Sequence, residues 1–263
     1  MIGRSNNSIA FCAKVPVKVC QVPDKVSIYS AISAAKHTKS DNMILGLSLF
    51  EGGKWNPSCQ TEINNSAIDY IKELAKNFST PVKIACVTNI KHAQDLITQL
   101  QKMGNRIFDV FQLHTVMTLE DMQKIKSAYP NSKILAKIAV SPEASIEELE
   151  AKALKYAQDK SIDGILLDSY APSTGSLINW NVAKLIIDKV HQKTSKPVGI
   201  AGGISPKNAK DALEQTGADF LDANTGFKFS KEEWLGTEPI PKNPFAIMDV
   251  LNISKKFNTD FEL

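Results

Sequence analysis

Two glycine-bearing stretches in the C-terminal third of the chain have the composition of anion cradles. They are Ala201-Gly202-Gly203-Ile204-Ser205-Pro206 and Asp222-Ala223-Asn224-Thr225-Gly226. Glycine lets backbone N–H groups come close to a phosphate, and the start of a following helix adds the positive end of its dipole. One Gly-Gly alone is equally well explained by a tight corner, but two such loops at successive strand ends favour phosphate binding. Asp168 closes the apolar run Gly164-Ile165-Leu166-Leu167. A carboxyl placed there can be raised by burial until it serves as an acid, although the position suits a helix cap or a lysine partner just as well. Cys20 lies in Val17-Lys18-Val19-Cys20-Gln21-Val22. Period-two alternation puts Lys18 and Cys20 on one face of a strand and Val17 and Val19 on the other. An inward Lys18 would set Cys20 at a strand mouth beside a cation that favours thiolate. The competing reading of a strand cysteine is a small buried hydrophobe, which is how Cys86 reads and how Cys12 can be read. Gln112-Leu113-His114 ends another strand, and Lys137 lies either inside or on a solvated face.

The elements that must carry these residues are legible as alternation. Short apolar runs at 17–22, 43–49, 82–88, 110–113, 134–138, 164–168, 198–201 and 220–223 read as strands. Their near-continuous apolarity is that of parallel strands covered on both faces. Helical patterns fall between them, among them 66–78, 91–103, 119–128, 145–158 and 206–216, with 244–256 closing the series. Ser145 to Glu148 is a capping box, and Ser205 with Pro206 reads as a helix start. Strict alternation requires a parallel sheet, and eight units over 263 residues favour closure into a (β/α)8 TIM barrel. A dinucleotide fingerprint after the first strand would argue for an open sheet, and there is none. Residues 1–16 read as a short N-terminal extension and 17–263 as the barrel domain. The irregular stretches 50–65 and 227–244 would lie at the C-terminal face, where barrel enzymes keep their catalytic loops.

Composition excludes several function classes. A net charge of +3 with scattered lysines argues against a nucleic-acid or membrane surface. Cys12, Cys20, Cys59 and Cys86 have no metal-ligand spacing with one another or with the four histidines, so no metal and no cofactor is expected. The first residues make a poor signal-peptide core, which leaves a reducing cytoplasm as the expected location. The expected partner is a small phosphorylated substrate, with the chain as a monomer or homodimer.

Taken together, several segments resemble phosphoribosylanthranilate isomerase. They are Lys18-Val19-Cys20, Gln112-Leu113-His114, Leu166-Leu167-Asp168-Ser169, Ser173-Thr174-Gly175 with Asn179-Trp180, Ala201 to Asn208, and Asp222 to Gly226. The family signatures in this order are KICG, QLHG, LLDS, GGTG with DW, AGGLxPxN and DVSSG. The resemblance runs over roughly residues 17 to 255 and is strongest from Gln112 to Gly226. It implies an Amadori rearrangement of a phosphoribosyl-arylamine, with Asp168 as general acid and Cys20 as general base. It also implies that Gly202, Gly203, Asn224, Thr225 and Gly226 hold the 5′-phosphate. Asp222 would meet a ribose hydroxyl, and Lys18, Lys54, Gln112, His114, Thr174 and Gly175 would supply further substrate contacts.

The departures from the family pattern are confined to certain positions. Trp55, in Gly53-Lys54-Trp55-Asn56, stands where the family has the arginine that meets the substrate carboxylate. Lys54 brings charge to that loop but not a bidentate fork. Pro172-Ser173 replaces two glycines, Asn179 replaces an acid, Lys228 replaces a glutamate, and Gln21 replaces the glycine after the cysteine. The phosphate half and the acid–base pair are therefore retained, while the aryl-carboxylate half is rebuilt. Three readings follow: the isomerase itself, a paralogous barrel acting on a different phosphorylated substrate, or a non-catalytic phosphate-ligand-binding protein. Either enzyme reading predicts a bell-shaped pH profile.

Overall fold

The computed structural model describes residues 13–22, 24–49, 61–104, 107–114, 117–170, 176–236 and 239–259. The strands are β1 (Val17–Val19), β2 (Met43–Leu49), β3 (Lys83–Thr88), β4 (Val110–Leu113), β5 (Lys133–Val140), β6 (Gly164–Ser169), β7 (Val198–Ala201) and β8 (Leu221–Ala223). They alternate with α1 (Lys25–Thr38), α2 (Thr61–Phe78), α3 (Ala93–Lys102), α4 (Leu119–Ala128), α5 (Ile146–Gln158), α6 (Trp180–Lys193), α7 (Ala209–Thr216) and α8 (Pro244–Ser254). Each strand pairs in parallel with the next. β8 returns to β1 through Val17↔Leu221, Lys18↔Asp222 and Val19↔Ala223, which closes the expected barrel.

Side-chain alternation divides the core in two. One face of each strand packs outward against the helices in a large apolar layer that includes Val17, Val19, Leu45, Phe111 and Ile165. The other face fills the barrel with a separate cluster of Ile44, Ala85, Val110, Leu135, Leu166, Ala201 and Phe220. Gly199 is required here, because a Cβ on it would stand 2.3 Å from the Phe220 ring. Among the next inward positions toward the C-terminal face, Lys18, Gln112, Lys137, Asp168 and Asp222 carry polar side chains. The apolar plug thus becomes the floor of a polar mouth.

The opposite end of the barrel is closed by a repeated device. Asp109, Asp163 and Asp219, each just before or near the start of an even-numbered strand, accept from the backbone N–H of Ile84, Ile134 and Val198 on the preceding strand. These bonds measure 2.7, 2.8 and 2.8 Å, and they satisfy N–H groups at the strand starts. His191 of α6 adds a 2.9 Å contact to Asp219.

Other ends agree or shift by one or two residues, and four differences from the pattern read in the sequence have a physical reason or consequence. α2 begins at Thr61, five residues before 66, so part of the stretch expected to be irregular is helix. β1 stops at Val19 because the chain turns at Gln21, which takes a left-handed φ of 54°. α7 begins at Ala209 and not at Pro206, because Asn208 folds back on the loop: its Oδ1 accepts from Ser205 N and its Nδ2 donates to the Gly203 carbonyl. Ala13–Lys14, inside the expected N-terminal extension, pairs antiparallel with Asn258–Thr259 and so joins the segment before β1 to the segment after α8. Residues 1–12 lie outside the described residues.

Candidate active site

The C-terminal face carries a cavity at the mouth of the barrel. Its walls are Cys20 and Gln21 after β1, His114 after β4, Asp168 and Ser169 of β6, Ala201 to Ile204 after β7, and Asp222, Asn224, Thr225 and Gly226 around β8. The two glycine loops and both candidate acid–base residues thus meet in one space. Lys54, Trp55, Thr174 and Gly175 lie outside the described residues.

The two glycine loops depend on close approach. Gly202 and Gly203 have φ values of 96° and 68°, in the left-handed region that favours glycine. A Cβ on Gly202 would stand 2.8 Å from Ser169 Cβ. Gly226 presses on the neighbouring loop, and a Cβ there would come within 2.1 Å of the Ile204 carbonyl oxygen. Any side chain at Gly226 would push the two halves of the cradle apart.

Asp168 is buried and pairs with Lys137, the Nζ–Oδ2 distance being 2.7 Å. The lysine partner allowed by the sequence reading is therefore present, and Lys137 points inward. Burial nonetheless raises the Asp168 carboxyl above its ordinary 3.8, against the opposing charge and hydrogen bond of Lys137. An acid pushed up by desolvation is suited to donating a proton.

Cys20 stands across the mouth at the end of β1, anchored by its backbone N–H to the Ala223 carbonyl at 2.8 Å. Lys18 draws the thiol toward thiolate, as expected of a neighbouring cation, but burial works against it more strongly. Burial raises the thiol above its ordinary 9.0, with Lys18 and Lys242 pulling it down and Asp222 pushing it up. The desolvation cost outweighs the pull of the two lysines. Cys86, by contrast, is buried in the outer layer and has no charged neighbour pulling it back down, as its reading as a small hydrophobe requires.

Lys18 and Gln112 are not on the cavity wall but beneath it, fully buried. Lys18 Nζ lies 2.8 Å from Asp222 Oδ1, a charge contact whose angles are poor for a hydrogen bond. Burial would lower the Lys18 ammonium, but Asp222 and Cys20 together outweigh it and hold the group above its ordinary value. The Gln112 amide donates to Asp222 Oδ2 at 3.2 Å and lies 2.9 Å from His114 Nε2. The Asp222 carboxylate orients this amide, because an amide oxygen there would face like charge. The same NH2 group then requires His114 Nε2 to accept. Burial, with Lys137 and Lys18 nearby, holds His114 well below its ordinary 6.5, so the ring is neutral.

Three residues of this neighbourhood carried little signal in the sequence. Gln21 was notable only as a departure from a glycine, yet its Oε1 accepts from Asn224 Nδ2 at 2.8 Å. Ser169 is a neighbour of Asp168 that lines the wall. Lys242 lies within 227–244, a stretch with no recognisable pattern, and its ammonium bonds the Asn224 loop from behind. Of the departures, Asn179 has a structural account. It caps α6 by accepting from Asn181 N and Val182 N, which an aspartate would do equally well.

The fold and cavity define a β/α barrel whose site is built from loops at the C-terminal ends of its strands. The chain belongs to the N-(5′-phosphoribosyl)anthranilate isomerase family, whose model matches residues 53–228. It is 25% identical over 150 residues to N-(5′-phosphoribosyl)anthranilate isomerase 2 of Methanosarcina mazei, a match covering 55% of this chain and 61% of that protein. Matches to the first curated relatives span 46% to 61% of their own length. Among solved structures, the isomerase of Pyrococcus furiosus superposes with a TM-score of 0.65 at 15% identity, over 92% of this chain and all of that one. An isomerase in complex with reduced 1-(o-carboxyphenylamino)-1-deoxyribulose 5-phosphate superposes with a TM-score of 0.63 at 16% identity, again over 92% and 100%. At these identities the structural likeness is one of fold.

Proposed function

We propose that the chain isomerises N-(5-phosphoribosyl)anthranilate to the corresponding 1-deoxyribulose 5-phosphate in tryptophan biosynthesis. The observation that carries the reading is that a raised carboxyl, a thiol and two glycine loops share one cavity in a member of this family. Asp168 protonates the ribose ring oxygen, and the ring opens to a Schiff base. Cys20, as thiolate, takes the proton from the adjacent sugar carbon to give an enolamine, which becomes the ketone. Gly202, Gly203, Asn224, Thr225 and Gly226 hold the 5′-phosphate, and Asp222 accepts from a ribose hydroxyl. Lys18 and Gln112 act beneath the site by fixing Asp222. Two groups of different acidity on opposite sides of one mouth suit a reaction that needs an acid and a base in turn. The reaction needs no metal or redox cofactor, takes a small phosphorylated substrate, and is placed in the cytoplasm.

Trp55 at the position of the family's arginine favours a second reading, a changed substrate that carries phosphate but a different aryl or amine group. Growth without tryptophan of a bacterial strain lacking this isomerisation step discriminates the two. Rescue by the wild-type chain but not by Cys20→Ala is the expected result. Failure of a well-expressed, folded wild-type chain to rescue would favour the second reading.

A further inference from the structure

Lys242 is a wholly buried lysine outside the acid–base pair and off the cavity wall. Its Nζ donates to the Asn224 carbonyl at 2.9 Å and to Asn224 Oδ1 at 2.6 Å. Asn224 uses its remaining amide group on Gln21 Oε1 at 2.8 Å, and Gln21 directly follows Cys20 in a left-handed turn. The Lys242 backbone N–H donates to Ser27 Oγ, and that hydroxyl bonds Asp24, the N-cap of α1. The next residue, Asn243, donates its N–H to the Phe227 carbonyl. One short segment therefore ties the cradle loop after β8, the loop after β1 and the start of α1 together.

We propose that Lys242 is a positioning residue for the isomerisation: through Asn224 and Gln21 its ammonium joins the phosphate cradle to the turn that aims the Cys20 thiol. This rests on the reading of Cys20 as the base and of the Asn224 loop as part of the phosphate site. A buried lysine is costly unless its charge has partners, and here most of its donors are spent on a single asparagine. Burial, with Lys228 and Lys18 nearby, lowers the ammonium to about 7 against the upward pull of Cys20 and Asp222. Cys20 in turn faces Lys18 on its own strand, Asp222 on β8 and Lys242. A phosphate on the Asn224 loop adds negative charge beside Lys242, which favours its charged form and with it the attraction that draws Cys20 toward thiolate. Ligand binding and activation of the base are then one event.

The test uses Lys242→Met, which keeps the length and apolar stem, together with Lys242→Arg and Gln21→Asn. Asparagine tolerates the left-handed turn but is too short to reach Asn224. Two readouts need no substrate, so they stand whether or not the proposed reaction is correct. One is the rate of Cys20 alkylation by iodoacetamide at several pH values, resolved from Cys12, Cys59 and Cys86 by peptide mass spectrometry. The other is the affinity for inorganic phosphate. With inorganic phosphate present to hold Lys242 in its charged form, Lys242→Met is expected to slow Cys20 alkylation near pH 8 by about threefold or more and to weaken phosphate about tenfold. Lys242→Arg is expected to recover most of both. Gln21→Asn is expected to slow alkylation by a similar factor, since it breaks the link from Asn224 to the turn at Cys20. Wild-type alkylation and phosphate affinity in Lys242→Met, whatever its melting temperature, would overturn the proposal. If that variant does not fold, wild-type alkylation in Gln21→Asn would overturn it instead.

Discussion

At the scale of single residues, the site sets burial against charge. Asp168 and Cys20 are both raised by desolvation, and each has a lysine working the other way: Lys137 on the acid, Lys18 and Lys242 on the thiol. In the proposed reaction the productive form pairs a protonated Asp168 with an ionised Cys20, so it is the minority form when the thiol titrates above the acid. The kcat/KM profile then rises on the acid side through the Asp168 pKa and falls on the alkaline side through that of Cys20. Lys137→Met removes the cation that offsets burial at Asp168, and the sign is fixed: the Asp168 pKa moves further up. The acid limb of kcat/KM is expected at higher pH in this variant, with the alkaline limb nearly unmoved. An acid limb at unchanged or lower pH would separate Asp168 from the general-acid role.

At the scale of elements, the aspartates that bridge strand starts hold the barrel without touching the cavity. Asp163 joins β5 to β6 by accepting from Ile134 N, and it also receives Lys126 and Lys133 at 2.9 and 3.7 Å. Asp163→Ala leaves that backbone N–H without its acceptor and is expected to cost roughly 1–3 kcal/mol, read by urea unfolding. Phosphate affinity is expected to stay within about twofold, because the bond lies at the opposite face from the cradle. Strand positions were legible in the sequence because a strand covered on both faces needs a continuous apolar run. Val110–Leu113 and Val198–Ala201 were read to the residue. Turns such as Ser205 to Asn208 were not, because a side chain folding back on its own loop leaves no periodic trace. Asp168, Cys20 and the glycine loops stood out by type at strand ends. Lys242 did not, because its role depends on a contact with Asn224, 18 residues away. The direction of the Cys20 shift was also beyond the sequence, since it turns on how completely the thiol is desolvated.

At the scale of the whole molecule, closure of the barrel turns residues far apart in the chain into one site. β1 and β8 pair directly, so Gln21 and Asn224, 203 positions apart in the chain, become hydrogen-bonded neighbours. The two glycine loops, with Lys242 bonding the Asn224 loop from behind, form the proposed seat for a dianion. Inorganic phosphate is therefore expected to compete with substrate, raising KM and leaving kcat unchanged. Inhibition that lowers kcat without changing KM would place the anion elsewhere. The central claim is that one cavity holds the acid, the base and the phosphate cradle of an isomerase. It is tested most directly by following the fluorescence of N-(5-phosphoribosyl)anthranilate, generated in situ, with wild-type, Cys20→Ala and Asp168→Asn proteins side by side. The predicted result is turnover by the wild type and a loss of roughly 10²- to 10⁴-fold in each variant. Absence of turnover by folded wild-type protein, or a full rate in either variant, would contradict it.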